Sequence, residues 1–242
     1  MTVVVDPSDR PTVLLVHGAL GDFEQMRPLA EALGEVGSVH LVELPGHGRT
    51  LLPAGDAFGM ALFARTIGDA ARRHRVGDQA PICLGFSMGG YAALVLASTS
   101  PGTLRGIVTL GTKFEWTPSV AAAGAARLDA SLLRAKVPAF AEQLRQRHER
   151  AGGWEQLLAR TAQLLTNLGA DPMLTMNTLA DIRIPVRLAV GSRDDTVTSL
   201  EVERIAALLP HATMHVLPDV PHPIERVPMH LVVDLMRDFP RS

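Results

Sequence analysis

Short apolar runs and longer amphipathic stretches alternate along most of the chain. "TVLLVHG" (12–18), "SVHLVELPGHG" (38–48), "PICLGFS" (81–87), "LRGIVTLGT" (104–112), "IPVRLAVGS" (184–192) and "ATMHVLP" (212–218) are aliphatic or β-branched runs, the pattern of strands buried on both faces. Helical patterns lie between them. In 23–37, Met26, Leu29, Ala30 and Leu33 share a face, with Asp22 placed to cap the start and Gln25 three residues on. Residues 59–76, 88–100 and about 229–239 also read as helices, the last with Pro228 near its start. Another opens at Thr198, with Glu201 at the capping-box position and Pro210 at its end. The alternation predicts an α/β protein: a mostly parallel sheet covered by helices on both faces.

The interval 113–181 breaks this rhythm and holds no convincing strand. "VPAFAEQLRQRHER" (137–150) and "WEQLLARTAQLLTNLG" (154–169) are helical, whereas the alanine-rich "VAAAGAA" (120–126) is too short to count as low complexity. A structureless loop of this length does not suit a compact domain. The interval is therefore expected to be a helical insertion over one end of the sheet.

Composition narrows the picture. The 242 residues are 47% hydrophobic with a net charge of -2, enough for one large α/β domain. No block of like charge marks a nucleic-acid surface, so no nucleic-acid partner is expected. The lone cysteine, Cys83, permits no intrachain disulfide and suits a reducing compartment. "MTVVVDPSDRP" lacks a basic segment followed by a long apolar one, and no apolar stretch reaches about 18 residues. The expectation is a soluble cytoplasmic protein without a membrane partner. The sequence carries no signal for oligomeric state.

The candidate chemistry begins at Gly85-Phe86-Ser87-Met88-Gly89, a G-x-S-x-G pattern between a predicted strand and a predicted helix. Such a turn exposes the serine above the sheet, and the following helix aims its N-terminal amides toward it. The stretch alone leaves two readings open: a turn that needs small residues, or a nucleophile. Acyl transfer through serine needs donors for the tetrahedral oxyanion. The Met88 amide can give one, and the loop after His17-Gly18 must give the other, with Ala19 as candidate. His17 reads as a brace for that loop. A serine also needs a base, and the base an orienting acid. "GSRDDTV" (191–197) puts Asp194 and Asp195 past the carboxyl end of a strand, and "LPDVPHPIERVP" (217–228) puts His222 in the loop after the next. His40, His74, His148, His211, His215 and His230 have no motif context.

From about Thr12 to Phe239 the chain resembles the α/β-hydrolase superfamily, on HG (17–18), PGHG (45–48), GFSMGG (85–90), G-x-x-D (191–194) and His222. The resemblance implies Ser87 as nucleophile, Asp194 as acid and His222 as base. Asp194 matches the family spacing where Asp195 does not, and Glu115 is the nearest carboxylate for members that carry the acid one strand earlier. His47 looks like a turn element of PGHG, and Glu43 stands where many relatives have aspartate, without evident consequence. The implied fold is an α/β-hydrolase core (1–112 and 182–242) with a helical cap (113–181). Only "TVVV" (2–5) precedes the strand at 12–16, so an abbreviated sheet of about seven strands is expected.

Serine at the elbow excludes the aspartate-nucleophile branches of that superfamily. No metal-ligand cluster or nucleotide loop is evident, so no metal or cofactor is expected. The implied activity is a carboxylesterase-like cleavage of a small or medium ester through an acyl-enzyme. The same triad would serve a carbon–carbon (vinylogous diketone) hydrolase, a thioesterase or a lactonase, and a ligand receptor on this scaffold is a third class. Trp116, Phe140, Trp154, Met173 and Met176 are the larger apolar side chains of the cap, and Arg127, Arg134, Arg145, Arg147 and Arg150 its candidate anion anchors.

Overall fold

Thr12–Val16, β1, is buried at every position, and its side chains alternate between two apolar layers. Val13 and Leu15 join one, Leu14 and Val16 the other, as the two-residue period of a strand requires. A computed structural model describes residues 10–237 and 239–240. After β1 come β2 (Ser38–Val42), β3 (Ile82–Phe86), β4 (Gly106–Leu110), β5 (Val186–Gly191) and β6 (Ala212–Leu217). They form one sheet in the order β2-β1-β3-β4-β5-β6, with every neighbour parallel. The two edge strands, β2 and β6, are the less buried ones. About seven strands were expected and six occur among the described residues. The remaining candidate, "TVVV" (2–5), lies outside them.

The helices are α1 (Phe23–Leu33), α2 (Met60–Arg73), α3 (Met88–Thr99), α4 (Pro118–Ala126), α5 (Ala130–Lys136), α6 (Pro138–His148), α7 (Trp154–Ala170), α8 (Met176–Ala180), α9 (Ser199–Ala206) and α10 (Met229–Arg237). α1 and α10 cover one face of the sheet through Met26, Leu29, Leu33, Val232, Val233 and Met236. α2, α3 and α9 cover the other. α3 is apolar nearly all round and almost wholly buried, as a helix packed on several sides must be. The expected helices are present, most with shorter ends and that at 154–169 one residue longer.

Two capping details differ from expectation. Asp22 accepts from Gln25 N at 2.9 Å, but the Gln25 side chain turns outward to Glu225, 2.7 Å away. Thr198 likewise accepts from Glu201 N at 3.1 Å, while the Glu201 carboxylate leaves the helix end for residues 113–115. A buried amide pair outcompetes the local cap in the second case.

The insertion holds five helices, α4 to α8, where the sequence suggested two. The alanine-rich stretch is α4. Its small side chains let it lie against α7, where Gly169 faces Ala121 too closely to admit a β-carbon. Ala141, Leu144, Trp154 and Leu158 form an apolar cluster of the insertion itself. Leu164 and Leu168 of α7 join the core layer beneath. Among the described residues no helix is long and apolar enough to cross a membrane.

Candidate active site

The chain runs outward from β1 to β2 and then returns past β1 to β3, so the loops leaving β1 and β3 diverge. That reversal opens a crevice at the carboxyl ends of the strands. Ser87 stands there, between β3 and α3, at φ 49° and ψ −115°. A non-glycine residue with positive φ is strained and persists only where its surroundings hold it. Ser87 N donates to Leu110 O at 2.8 Å, and Ser87 O accepts from Thr112 Oγ1 at 2.9 Å and from Gly90 N at 3.1 Å. The flanking glycines are steric requirements. A β-carbon on Gly85 would collide with the Gly90 backbone, and one on Gly89 would stand 2.6 Å from His17 O. The turn therefore needs small residues, and it presents Ser87, half-buried, at a cavity.

Asp194 and His222 come together from two further loops. His222 Nδ1 lies 2.8 Å from Asp194 Oδ2, with the Asp194 side chain 2% exposed. Asp194 Oδ1 accepts from the amides of Thr196 and Val197, at 2.8 Å each, so both oxygens are used. Among the described residues Asp195 meets only the Thr196 hydroxyl, at 3.4 Å, and Glu115 pairs with Arg204 on the exterior. The two loops are stitched by Arg193 N to Val220 O at 3.0 Å and Asp219 N to Ser192 Oγ at 2.8 Å. Gly111, at φ 60°, passes so close that a β-carbon would sit 3.2 Å from Asp194 Oδ2 and 3.3 Å from the imidazole.

Ala19, Ser87, Met88 and His222 line one cavity of about 380 Å³. Among the described residues Ser87 Oγ makes no direct hydrogen bond to His222; such contacts often tighten only when substrate seats. The cavity wall is largely apolar, with Met60, Phe86, Tyr91, Trp116, Phe140 and Leu165 on it. Of the insertion's larger side chains, Trp116 and Phe140 reach it. Trp154 packs in the insertion's own cluster under Arg134, Met173 is part of another surface groove, and Met176 is 70% exposed. Neither the five candidate arginines nor Arg160, the sixth in this interval, is among the lining residues.

Residues 13–235 match the family model described as "Alpha/beta hydrolase family". This chain belongs to the alpha/beta hydrolase family. Over 98 residues it is 34% identical to the pimeloyl-(acyl-carrier protein) methyl ester esterase of Salmonella newport, a match covering 40% of this chain and 35% of that protein. Over 101 residues it is 33% identical to the biotin biosynthesis bifunctional protein BioHC of Cellvibrio japonicus, covering 42% and 18%. The match thus spans about a third or less of these relatives' length. Among solved structures, NosK from Streptomyces actuosus shares the fold with a TM-score of 0.78 at 22% identity, covering 95% of this chain and 97% of that one. A thermophilic esterase from Thermogutta terrifontis does so with a TM-score of 0.73 at 22% identity, covering 95% and 89%.

On this alpha/beta hydrolase scaffold several polar residues brace the loops around the site. His17, His47 and His148 are fully buried, with the His47 ring 5.0 Å from that of His17 and 5.9 Å from that of His148. His17 is the brace the sequence suggested: Nε2 accepts from Leu44 N at 3.0 Å, which leaves Nδ1–H to donate to Gly18 O at 2.8 Å. Burial lowers His17 and His148 to about 4 and pushes His47 well below the imidazole range. Glu43, which had no assigned role, accepts from Arg49 N at 2.8 Å and Thr50 Oγ1 at 2.9 Å, closing the PGHG turn on itself. Glu201, 3% exposed, accepts from the amides of Phe114 and Glu115 at 2.6 and 2.8 Å and meets Lys113 Nζ at 3.0 Å. Lys113 lines the cavity, so Glu201 sets one of its walls from behind. Only its spacing from Thr198 marked Glu201 in the sequence, and that pointed to a cap.

Proposed function

We propose that the chain is a serine hydrolase that cleaves small or medium carboxylic esters through an acyl-enzyme. One observation carries the reading. Ser87, on a strained elbow, opens into the same cavity as His222, whose far nitrogen lies 2.8 Å from the buried Asp194 carboxylate. Asp194 holds the imidazole with its proton on Nδ1, leaving Nε2 free to accept. His222 Nε2 takes the Ser87 proton as Oγ adds to the ester carbonyl. The amides of Met88 and Ala19 stabilise the oxyanion, the first as an unpaired N–H of the opening turn of α3. Collapse of the tetrahedral adduct expels the alcohol, which receives the proton from His222. Water then repeats the sequence on the acyl-enzyme and releases the acid.

Residues 113–181 act as a lid in this reading, with Trp116, Phe140 and Leu165 as its contribution to the acyl pocket. The apolar wall and modest volume favour an uncharged acyl chain. Lys113 is the cationic side chain on the cavity, and its charge is matched by Glu201. Acidic substrates therefore find little to hold them, which favours the ester over the carbon–carbon bond of an acidic diketone. The esterase named among the relatives, though matched over a third of its length, is consistent with the choice.

The test is a panel of p-nitrophenyl esters from acetate to decanoate, with a fluorophosphonate probe. Ser87→Ala is expected to abolish both labelling and turnover, and wild-type rates to peak at short or medium chains. Full hydrolysis by Ser87→Ala would sink the mechanism. Labelling without turnover of any ester would redirect the reading to another acyl bond.

A further inference from the structure

The loop after β1 turns on Leu20, and the insertion holds that turn from outside. Gly21 N donates to Gly18 O at 3.1 Å, closing a four-residue turn with Leu20 at its third position and φ 59°. That position suits glycine, and a leucine there is strained. Three contacts from the insertion offset the strain. Leu20 O accepts from His148 Nε2 at 2.9 Å and from Arg147 Nη1 at 3.1 Å, and the Leu20 side chain packs on the cluster of Ala141, Leu144, Trp154 and Leu158. Arg147 Nε also lies 3.5 Å from Asp22, the cap of α1. His148 Nδ1 accepts from Gly48 N at 2.9 Å, which places the single proton of a neutral ring on Nε2, facing Leu20.

These contacts reach the Ala19 amide through two peptide planes. In a trans peptide the C=O and N–H point in opposite directions. The Leu20–Gly21 peptide is held at its oxygen by α6, so its N–H is aimed at Gly18 O. The Gly18–Ala19 peptide is held at that oxygen by Gly21 N and His17 Nδ1, so the Ala19 N–H faces the other way. Ala19 lines the cavity that holds Ser87. We infer that Arg147 and His148 are positioning residues: through the Leu20 carbonyl they orient the Ala19 amide for the oxyanion. The inference rests on the serine-hydrolase reading and gives the insertion a part in catalysis beyond roofing the pocket.

Two substitutions separate the contacts of His148. His148→Asn keeps an acceptor for Gly48 and loses the donor to Leu20. His148→Gln keeps a donor at the Nε2 position. With p-nitrophenyl butyrate, His148→Asn is expected to lower kcat by about 10- to 100-fold, the scale of a misaimed oxyanion donor, with KM within about twofold. His148→Gln retains most of kcat even where its Tm falls as far. The affinity of an alkylboronic acid, whose tetrahedral serine adduct occupies the oxyanion site, falls with kcat in His148→Asn. Arg147→Gln, at a partly exposed position outside the buried histidines, repeats the test without risk to the core and is expected to cost kcat about 3- to 10-fold. Wild-type kcat and boronate affinity in His148→Asn and Arg147→Gln, or losses that track Tm alone in all three variants, would overturn the positioning role. Wild-type enzyme that a fluorophosphonate fails to label at Ser87 would instead overturn the hydrolase reading beneath it.

Discussion

Asp194 divides its carboxylate between two tasks, and the division predicts how a substitution fails. One oxygen holds the 194–197 turn and the other faces His222. Asparagine keeps an acceptor for the turn but cannot stabilise the imidazolium or enforce its tautomer. Asp194→Asn is therefore expected to lose about three to four orders of magnitude in kcat while melting near the wild-type temperature, as ester kinetics beside a thermal melt would show. Gly111 is the neighbouring constraint. Alanine there meets both an unfavourable positive φ and the Asp194–His222 pair at 3.2 to 3.3 Å. Gly111→Ala should cost about 1–2 kcal/mol of stability. It should also reduce kcat, by displacing the ring, more than a surface glycine such as Gly55 does, where a β-carbon has open space. Asp194 was legible as the carboxylate of G-x-x-D, whereas Gly111 was not, because nothing local says which distant side chains will pass over a glycine.

At the scale of elements, the link from β4 to α4 is set by α9, a helix far along the chain. Glu201, in the first turn of α9, accepts two amides from 114–115 and pairs with Lys113. Glu201→Ala leaves two amides without an acceptor and a partly buried ammonium unmatched, which is expected to cost about 3 kcal/mol. Glu201→Gln keeps an acceptor for the amides and should cost less. Urea melts of the two variants measure the difference, and equal losses would show that the amides do not matter. The helices themselves were readable from spacing. The destination of the Glu201 side chain was not, since a capping position and a tertiary contact present the same residue to the reader of a sequence.

For the molecule as a whole, three neutral imidazoles buried between β1, the PGHG turn and α6 make stability depend on pH. Their folded values lie below the ordinary imidazole value near 6.5, chiefly through burial, with Asp22 and Arg147 as the charges nearest His17 and His148. The unfolded chain therefore binds more protons than the folded one between pH 6.5 and about 4. Stability is complete above pH 6.5 and falls as the pH drops toward 4, by roughly 3 kcal/mol for each of His17 and His148. Chemical denaturation at pH 7.5 and 4.5 checks the sign, and His148→Gln should flatten the slope. A protein equally stable at both values would show that these rings are not held neutral by the fold.

Apolar runs separated by helical spacings carried the sheet, its flanking helices and the place of the insertion, because burial on both faces leaves a mark at every residue of a strand. Motif order likewise pointed to Ser87, Asp194 and His222. The order of the six strands among the described residues, the five helices of the insertion, the 2.8 Å approach of Asp194 to the imidazole and the hold of Arg147 and His148 on the Leu20 turn came only with tertiary structure. The reason is separation along the chain. A contact between positions 20 and 148, or between 114 and 201, depends on how elements pack, and packing leaves no periodic trace in the residues it joins.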